Sequence, residues 1–455
     1  MTSAYMFDQG TPPRPAAALL LMDAGRGGAV LLGRRNEQIA FMGGHHVFPG
    51  GRVDADDARV PVRGADPETA RFLAAAVREC FEEAGILLVS GPAPDAAAQR
   101  GARAGLLAER IFFSEFLAGC GCWIDAADYV PAGRWLTPSF SAIRYDTQYF
   151  LCRRASFPGG GEGGPEDEIT ALDWLAPAEA LSRWRAGALR LSTPVAYALR
   201  SLARLPLDRA LERMRRPPGV DRVAADFIEP RPGVLIVPLR TDTLPPATHT
   251  NCVIIGWEEL LVVDPGAAAP EEQERLLARI TDLETLGGRV AGVALTHGHK
   301  DHAGAAALIR DRFGVPVHAH PLAAGPGLAV DAPLLDEMVL ALSGGPGWRV
   351  RALHTPGHDP GHLALLEEST ATLITGDLFA NPGTILISPD HGGDMTAYLE
   401  SLERMGALSG LGMVVPGHGW PMPGHEGLER VHRLREYRLA REDRIARALA
   451  AGAAT

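Results

Sequence analysis

The chain has 455 residues, 46% of them hydrophobic and 22% charged, with a formal net charge of -11; this length predicts two or three domains rather than one, and the acidic balance argues against a surface built mainly to hold nucleic acid. Five irregularly spaced cysteines (Cys80, Cys120, Cys122, Cys152 and Cys252) exclude a disulfide framework and fit a reducing compartment. The early apolar run 16–22 is too short to cross a bilayer and lacks the form of a secretory leader, so the chain reads as cytoplasmic with no membrane partner.

Residues 16–22 and 29–32 read as strands joined by a glycine-rich turn. Phe48-Pro49-Gly50-Gly51 follows, a turn whose backbone N–H groups can approach an anionic ligand. Residues 70–85 have helical periodicity, with Phe72, Leu73, Ala76, Val77, Cys80, Phe81 and Ala84 on one stripe. Glu79, Glu82 and Glu83 share another face at i, i+3 and i+4, and Gly85 stands where a left-handed cap is expected. Three carboxylates so close repel unless something neutralises them. They read either as a solvated acidic face or as the oxygen-rich site with which Mg²⁺ grips phosphates. Residues 96–117 and 178–205 read as helices, and Arg215-Arg216-Pro217-Pro218-Gly219 marks a linker.

In the second half, 234–239, 252–257, 260–264 and 290–295 read as strands, with helices over 270–281 and 303–313. The run 290–295 feeds Thr296-His297-Gly298-His299-Lys300-Asp301-His302, where four metal-capable side chains fall within six residues. Further on, Thr355-Pro356-Gly357-His358, Ile374-Thr375-Gly376-Asp377 and Val415-Pro416-Gly417-His418 each present one more from a tight turn. Five histidines and two aspartates suffice for two metal ions with an open position. Residues 426–450 form an arginine-rich helix whose interleaved Glu429, Glu436, Glu442 and Asp443 suggest a solvated, salt-bridged surface.

Arg78-Glu79-Cys80-Phe81-Glu82-Glu83-Ala84-Gly85, with Phe48-Pro49-Gly50-Gly51 before it, resembles the Nudix box. Leu31-Leu32-Gly33-Arg34-Arg35 and Trp135-Leu136-Thr137-Pro138 are similar to the peroxisomal-type coenzyme A diphosphatases of that family. The resemblance implies that Glu79, Glu82 and Glu83 hold Mg²⁺ or Mn²⁺, that Glu82 and Arg78 are catalytic, with Arg78 bracing the carboxylates, and that Glu168 supplies a late acidic group. The chain departs from the pattern by a 13-residue insertion, 52–64, by Ala70 in place of the box's first glutamate, and by Ala40 in place of an arginine of the coenzyme A signature. The contact of that first glutamate is either lost or taken over by Glu68.

His-x-His-x-Asp-His followed by a lone histidine, an aspartate and a last histidine resembles the metallo-β-lactamase superfamily. The nearest branches are the glyoxalase II-like and the β-lactamase-like endoribonuclease proteins. The resemblance implies that His297, His299 and His358 bind one zinc ion and that Asp301, His302 and His418 bind a second. Asp377 would bridge the two, and Asp264 would orient ligand histidines from behind. Asp301 is the catalytic candidate, placed to orient the nucleophile and take its proton.

The expected architecture is therefore a two-domain α/β protein. It comprises a Nudix α/β/α sandwich over 14–212, a linker over 213–228, a metallo-β-lactamase αββα sandwich over 229–425 and a C-terminal helix over 426–455. The expected function is dinuclear-zinc hydrolysis of a thioester or related ester, fused to a Nudix-type diphosphatase for coenzyme A derivatives. The alternative is a phosphodiesterase or ribonuclease with a non-catalytic Nudix scaffold. Either way the substrate is a small ester, thioester or phosphate compound, with nucleic acid the less favoured partner.

Overall fold

The run 16–22 is buried throughout because it lies inside a mixed sheet. Its strand, Arg14–Asp23, pairs in parallel with Tyr145–Arg154 over ten residues and antiparallel with Ala29–Arg35 and Gly50–Arg52. Side chains alternate across a strand, so Ala17, Leu19 and Leu21 pack on the apolar stripe of the helix Pro67–Ala84, among Leu73, Ala76, Val77 and Cys80. That helix starts where the Asp66 carboxylate caps the N–H groups of Glu68 and Thr69, and it ends at Gly85 with φ of 68°.

The computed structural model describes residues 12–39, 42–137, 143–157, 168–216, 227–325, 328–345 and 347–451. By contacts the chain divides into two compact units, 1–226 and 227–455. Ala40, Pro138 and residues 217–226 of the assigned linker lie outside the described residues.

The second unit is two sheets face to face. One holds seven strands from Ile228–Arg231 to Ala332–Pro333, the other six from Val339–Leu342 to Met422–Pro423. Val234, Ile236, Val253, Val263 and Ala294 of the first meet Val350, Ala352, Leu363, Leu365 and Ile374 of the second in a single core. The opposite face of the second sheet, through Leu353, Ala364, Leu373 and Val414, packs on Tyr398, Leu402 and Met405 of the helix Met395–Gly406 and on Val431 of the helix Gly424–Ala450. The helices Pro270–Glu284 and Ala306–Phe313 cover the first sheet. Strands covered on both faces read as continuous apolar runs, which is how 290–295 looks in sequence.

Two helical readings need correction. Residues 96–117 form two helices, Ala96–Leu107 and Phe113–Cys120, and 178–205 also breaks, into Pro177–Arg185 and Thr193–Arg204. In the second case Ser192 and Pro194 start a new helix. Among the described residues no helix is long and apolar enough to cross a membrane.

Candidate metal centre and carboxylate site

The strands of the second unit that feed the histidine-rich turns end at one edge. Asp264 follows Glu259–Val263, His297 follows Arg289–Ala294, His358 follows Trp348–His354, Asp377 follows Thr372–Gly376, and His418 follows Met413–Pro416. The turns fit together closely. A Cβ at Gly417 would lie 2.6 Å from Asp377 Oδ1 and 2.9 Å from His302 Cε1, so only glycine lets the last turn approach.

Four of the five histidines have one ring nitrogen committed behind them. His297 Nδ1 donates to the Thr296 hydroxyl at 3.0 Å, and that hydroxyl in turn donates to Asp264 Oδ2 at 2.7 Å. His302 Nδ1 donates to Asp264 Oδ2 at 2.9 Å. His358 Nδ1 donates to the Leu386 carbonyl at 2.8 Å and His418 Nδ1 to the His249 carbonyl at 2.9 Å. Each bond selects the tautomer whose Nε2 carries a lone pair, and these Nε2 atoms point into the cluster. His299 faces it with Nδ1, 3.0 Å from Nε2 of both His297 and His358.

Three imidazole nitrogens that close cannot satisfy one another, since at most one proton lies on His299 Nδ1. On the other side, His302 Nε2 and Asp377 Oδ1 face each other at 3.3 Å, and neither has a hydrogen-bond partner although both are buried. Ligand atoms lie within 4.8 Å of one another in three trios: His297, His299 and His358; His297, His302 and Asp377; and Asp301, His302 and His418. Burial holds His297 well below the usual imidazole range and also lowers His299, so both present neutral nitrogens. Burial opposes the charge on Asp377, but His302 and His418 outweigh it and hold this carboxylate well below its usual range. Burial likewise opposes the charge on His302 and His418, but Asp377 outweighs it and raises both. Imidazole nitrogens and ionised carboxylate are the donor set of a divalent transition metal, which would take the place of those protons, so the cluster is a candidate divalent-metal site.

The loop that follows Asp377 is held by the arginine-rich helix. Arg430 donates to the Ala380 and Gly383 carbonyls, each at 2.8 Å, and the buried Arg438 donates to the Thr384 hydroxyl and the Ile385 carbonyl. The next carbonyl is that of Leu386, which fixes His358.

In the first unit Arg78 is nearly buried and gathers carboxylates around itself. It is bidentate to Asp57, at 2.9 and 3.1 Å, and reaches Glu79 Oε1 at 3.0 Å and Glu82 Oε2 at 3.3 Å. Glu83 Oε2 accepts from the Gly50 N–H at 2.9 Å, while its Oε1 is buried without a partner. The Pro-Gly-Gly stretch is thus a correction. Its N–H at Gly50 meets the protein's own carboxylate, and Gly51 is needed because a Cβ there would lie 2.5 Å from the carboxylate of Glu79. Burial, with Glu82 and Glu168 adding and Arg78 opposing, raises Glu79 to about 7, and burial with Glu79 also holds Glu83 well above the usual carboxylate range. Glu168 accepts from Arg35 at 2.6 Å. Glu68 lies exposed in the helix's first turn, where its backbone N–H donates to the Asp66 carboxylate.

Residues 245–418 match the model of the metallo-β-lactamase superfamily, and residues 60–202 match that of the NUDT19 Nudix domain. The chain joins a Nudix domain to a metallo-β-lactamase domain. It is 30% identical over 271 residues to acyl-coenzyme A diphosphatase NUDT19 of Gallus gallus, covering 45% of this chain and 71% of that protein. It is 30% identical over 196 residues to hydroxyacylglutathione hydrolase GloC of Haemophilus influenzae, covering 38% of this chain and 87% of the other. An atrochrysone carboxyl ACP thioesterase of Aspergillus terreus is 28% identical over 205 residues, covering 44% and 58%. Both families are hydrolases, and this chain is a hydrolase by membership in both.

All seven histidines and aspartates singled out in the metallo-β-lactamase domain converge, and Asp264 stands behind two of them. Sequence reasoning missed Asp57 in the Nudix domain. It also missed the Thr296 hydroxyl, the Leu386 carbonyl and Arg438 in the metallo-β-lactamase domain. Only Asp57 left a trace, as part of the acidic run Asp54-Ala55-Asp56-Asp57 within the 52–64 insertion.

Proposed function

We propose that the metallo-β-lactamase domain is a dinuclear zinc hydrolase of thioesters and that the Nudix domain is a Mg²⁺-dependent diphosphatase of coenzyme A derivatives. The observation that carries the first part is the convergence of five imidazoles and two aspartates, four of the imidazoles held from behind through Nδ1. His297, His299 and His358 would hold one ion and Asp301, His302 and His418 the other, with Asp377 shared. Bound there, a pair of divalent ions lowers the pKa of water and stabilises the oxyanion of an attacked carbonyl.

The chain's own groups do the rest. Asp301, half-buried and 3.5 Å from His418 Nε2, orients the attacking water and accepts its proton. Thr243, whose hydroxyl lies 3.2 Å from His418 Nε2, brings the loop 241–248 over the same face. In the Nudix domain Arg78 holds Glu79 and Glu82 in place, and Glu82 serves as the base. Glu79 and Glu83, raised by burial, gain most from a cation that neutralises them.

The relatives support this reading. One is named a diphosphatase of acyl-coenzyme A, another a hydroxyacylglutathione hydrolase and a third an acyl-carrier thioesterase. Acyl thioesters are the chemistry the three names share. The phosphodiesterase reading would draw on the arginine-rich helix. That helix, however, commits Arg430 and Arg438 to loop carbonyls and Arg433, Arg435 and Arg447 to carboxylates.

The test is a paired substrate panel of acyl thioesters, coenzyme A and phosphodiesters, with Zn²⁺ and Mg²⁺ supplied. His299→Ala should abolish thiol release and spare diphosphate cleavage, and Glu82→Gln should do the reverse. Phosphodiester cleavage without thiol release would overturn the proposal.

A further inference from the structure

Among the described residues the three most exposed large apolar side chains are Leu244, Leu322 and Leu386, at 65%, 60% and 58%. Single exposed leucines are ordinary, but these three sit on separate loops that all touch the metal cluster. Leu244 follows Thr243, whose hydroxyl reaches His418. Leu386 carries the carbonyl that fixes His358. Leu322 precedes Ala323, whose carbonyl oxygen is so close to Gly298, between His297 and His299, that a Cβ there would lie 2.3 Å from it. The Leu322 backbone also lies against Gly361, 2.9 Å from where a Cβ would stand. The three leucines thus stand on three separate segments, each of which adjoins a turn that carries candidate ligands.

A second observation concerns charge. Lys300 is the only lysine in a chain whose Lys+Arg total is 44. It stands between the candidate ligands His299 and Asp301, and it is exposed. Elsewhere this chain uses arginine wherever it needs a cation. A compact, mobile ammonium beside the cluster suits a flexible anionic group better than a planar fork does.

We propose that Leu244, Leu322 and Leu386 seat the apolar acyl chain of the substrate, and that Lys300 receives an anionic group on its thiol portion. The substrate class is then an acyl thioester of medium or longer chain whose leaving thiol carries phosphate or carboxylate. This rests on the thioester reading above. In the reaction water adds to the thioester carbonyl, the C–S bond breaks, and a carboxylate, a thiol and one proton result. A macromolecular partner on the same three leucines would cover the cluster, whereas an acyl chain seats on them while its carbonyl reaches the cluster.

The test measures kcat/KM for acyl-coenzyme A thioesters of two, four, eight and twelve carbons. It compares wild type with L244S/L322S/L386S, Lys300→Ala and, as a control on an exposed leucine at the far end of the C-terminal helix, Leu449→Ser. Wild type and the control should gain about tenfold or more between two and eight carbons. The triple variant should lose that gain, its rates on two and eight carbons becoming alike. Lys300→Ala should raise KM for coenzyme A thioesters but not for the uncharged N-acetylcysteamine thioesters.

A wild-type rate independent of chain length overturns the proposal. So does a triple variant that keeps the gain, including one whose only change is in oligomeric mass. If no thioester is hydrolysed, the thioester reading itself fails, and calorimetric binding of octanoate against acetate then tests the leucine seat alone. Octanoate binding lost in the triple variant supports the seat, and equal binding of the two acids overturns it.

Discussion

His302 Nδ1 donates to Asp264 Oδ2 at 2.9 Å, with both side chains almost wholly buried. Asp264 also accepts from the Thr296 N–H and hydroxyl, each at 2.7 Å, so one carboxylate sets the tautomers of both His302 and His297. Asp264→Asn keeps the volume but offers a donor where an acceptor is needed. We expect divalent-metal affinity to fall about 10–100-fold, measured by chelator competition, with Nudix activity unchanged.

Arg438 acts on the same centre from farther away, through Thr384 and Ile385 to the Leu386 carbonyl and so to His358. Arg438→Met should weaken the ion held with His358 by about tenfold and leave the second ion in place, read as one weak and one tight equivalent in a zinc titration. Arg433→Met on the same helix removes only an exposed pair with Glu429. It should change stability by no more than about 0.5 kcal/mol.

In the Nudix domain, Asp57 is the buried partner of Arg78. Asp57→Asn leaves the guanidinium without its bidentate anion, at a cost on the order of 3 kcal/mol. Urea unfolding of the Mg²⁺-responsive transition should show that loss, and no comparable change in the other.

The folded-state pKa of Glu79, about 7, lies above the value of about 4.3 for an unfolded glutamate. Its contribution to stability is therefore fully present below about 4.3 and is lost as pH rises through 7, where the carboxylate ionises beside Glu83. A cation that neutralises the pair reverses this loss. Mg²⁺ should raise the unfolding temperature of the Nudix domain little at pH 5.5 and most above pH 8. A Mg²⁺ shift that shrinks as pH rises would contradict the assignment.

What the sequence made legible follows from distance along the chain. His297, His299, Asp301 and His302 lie within six residues, and His358, Asp377 and His418 each sit in a turn at a sheet edge, so a local pattern suffices for all seven. Asp57 is joined to Arg78 across 21 positions and belongs to an insertion that no local pattern assigns. Arg438 looks like its neighbours in the helical pattern. It differs only in being buried under the loop 380–386, a tertiary fact. A single helix over 96–117 is too long because no glycine or proline marks a stop after Leu107, whereas the chain leaves the helix there with Glu109 at φ of 53°.

We infer that the metallo-β-lactamase domain holds two divalent ions on these seven side chains. Metal content by inductively coupled plasma mass spectrometry, after zinc reconstitution and desalting, tests it most directly. Two zinc ions per chain are expected in wild type and in Glu82→Gln, and one in His418→Ala. Fewer than one is expected in Asp377→Ala, where the shared carboxylate is removed. A single ion in wild type, or two ions that survive Asp377→Ala, would contradict the claim.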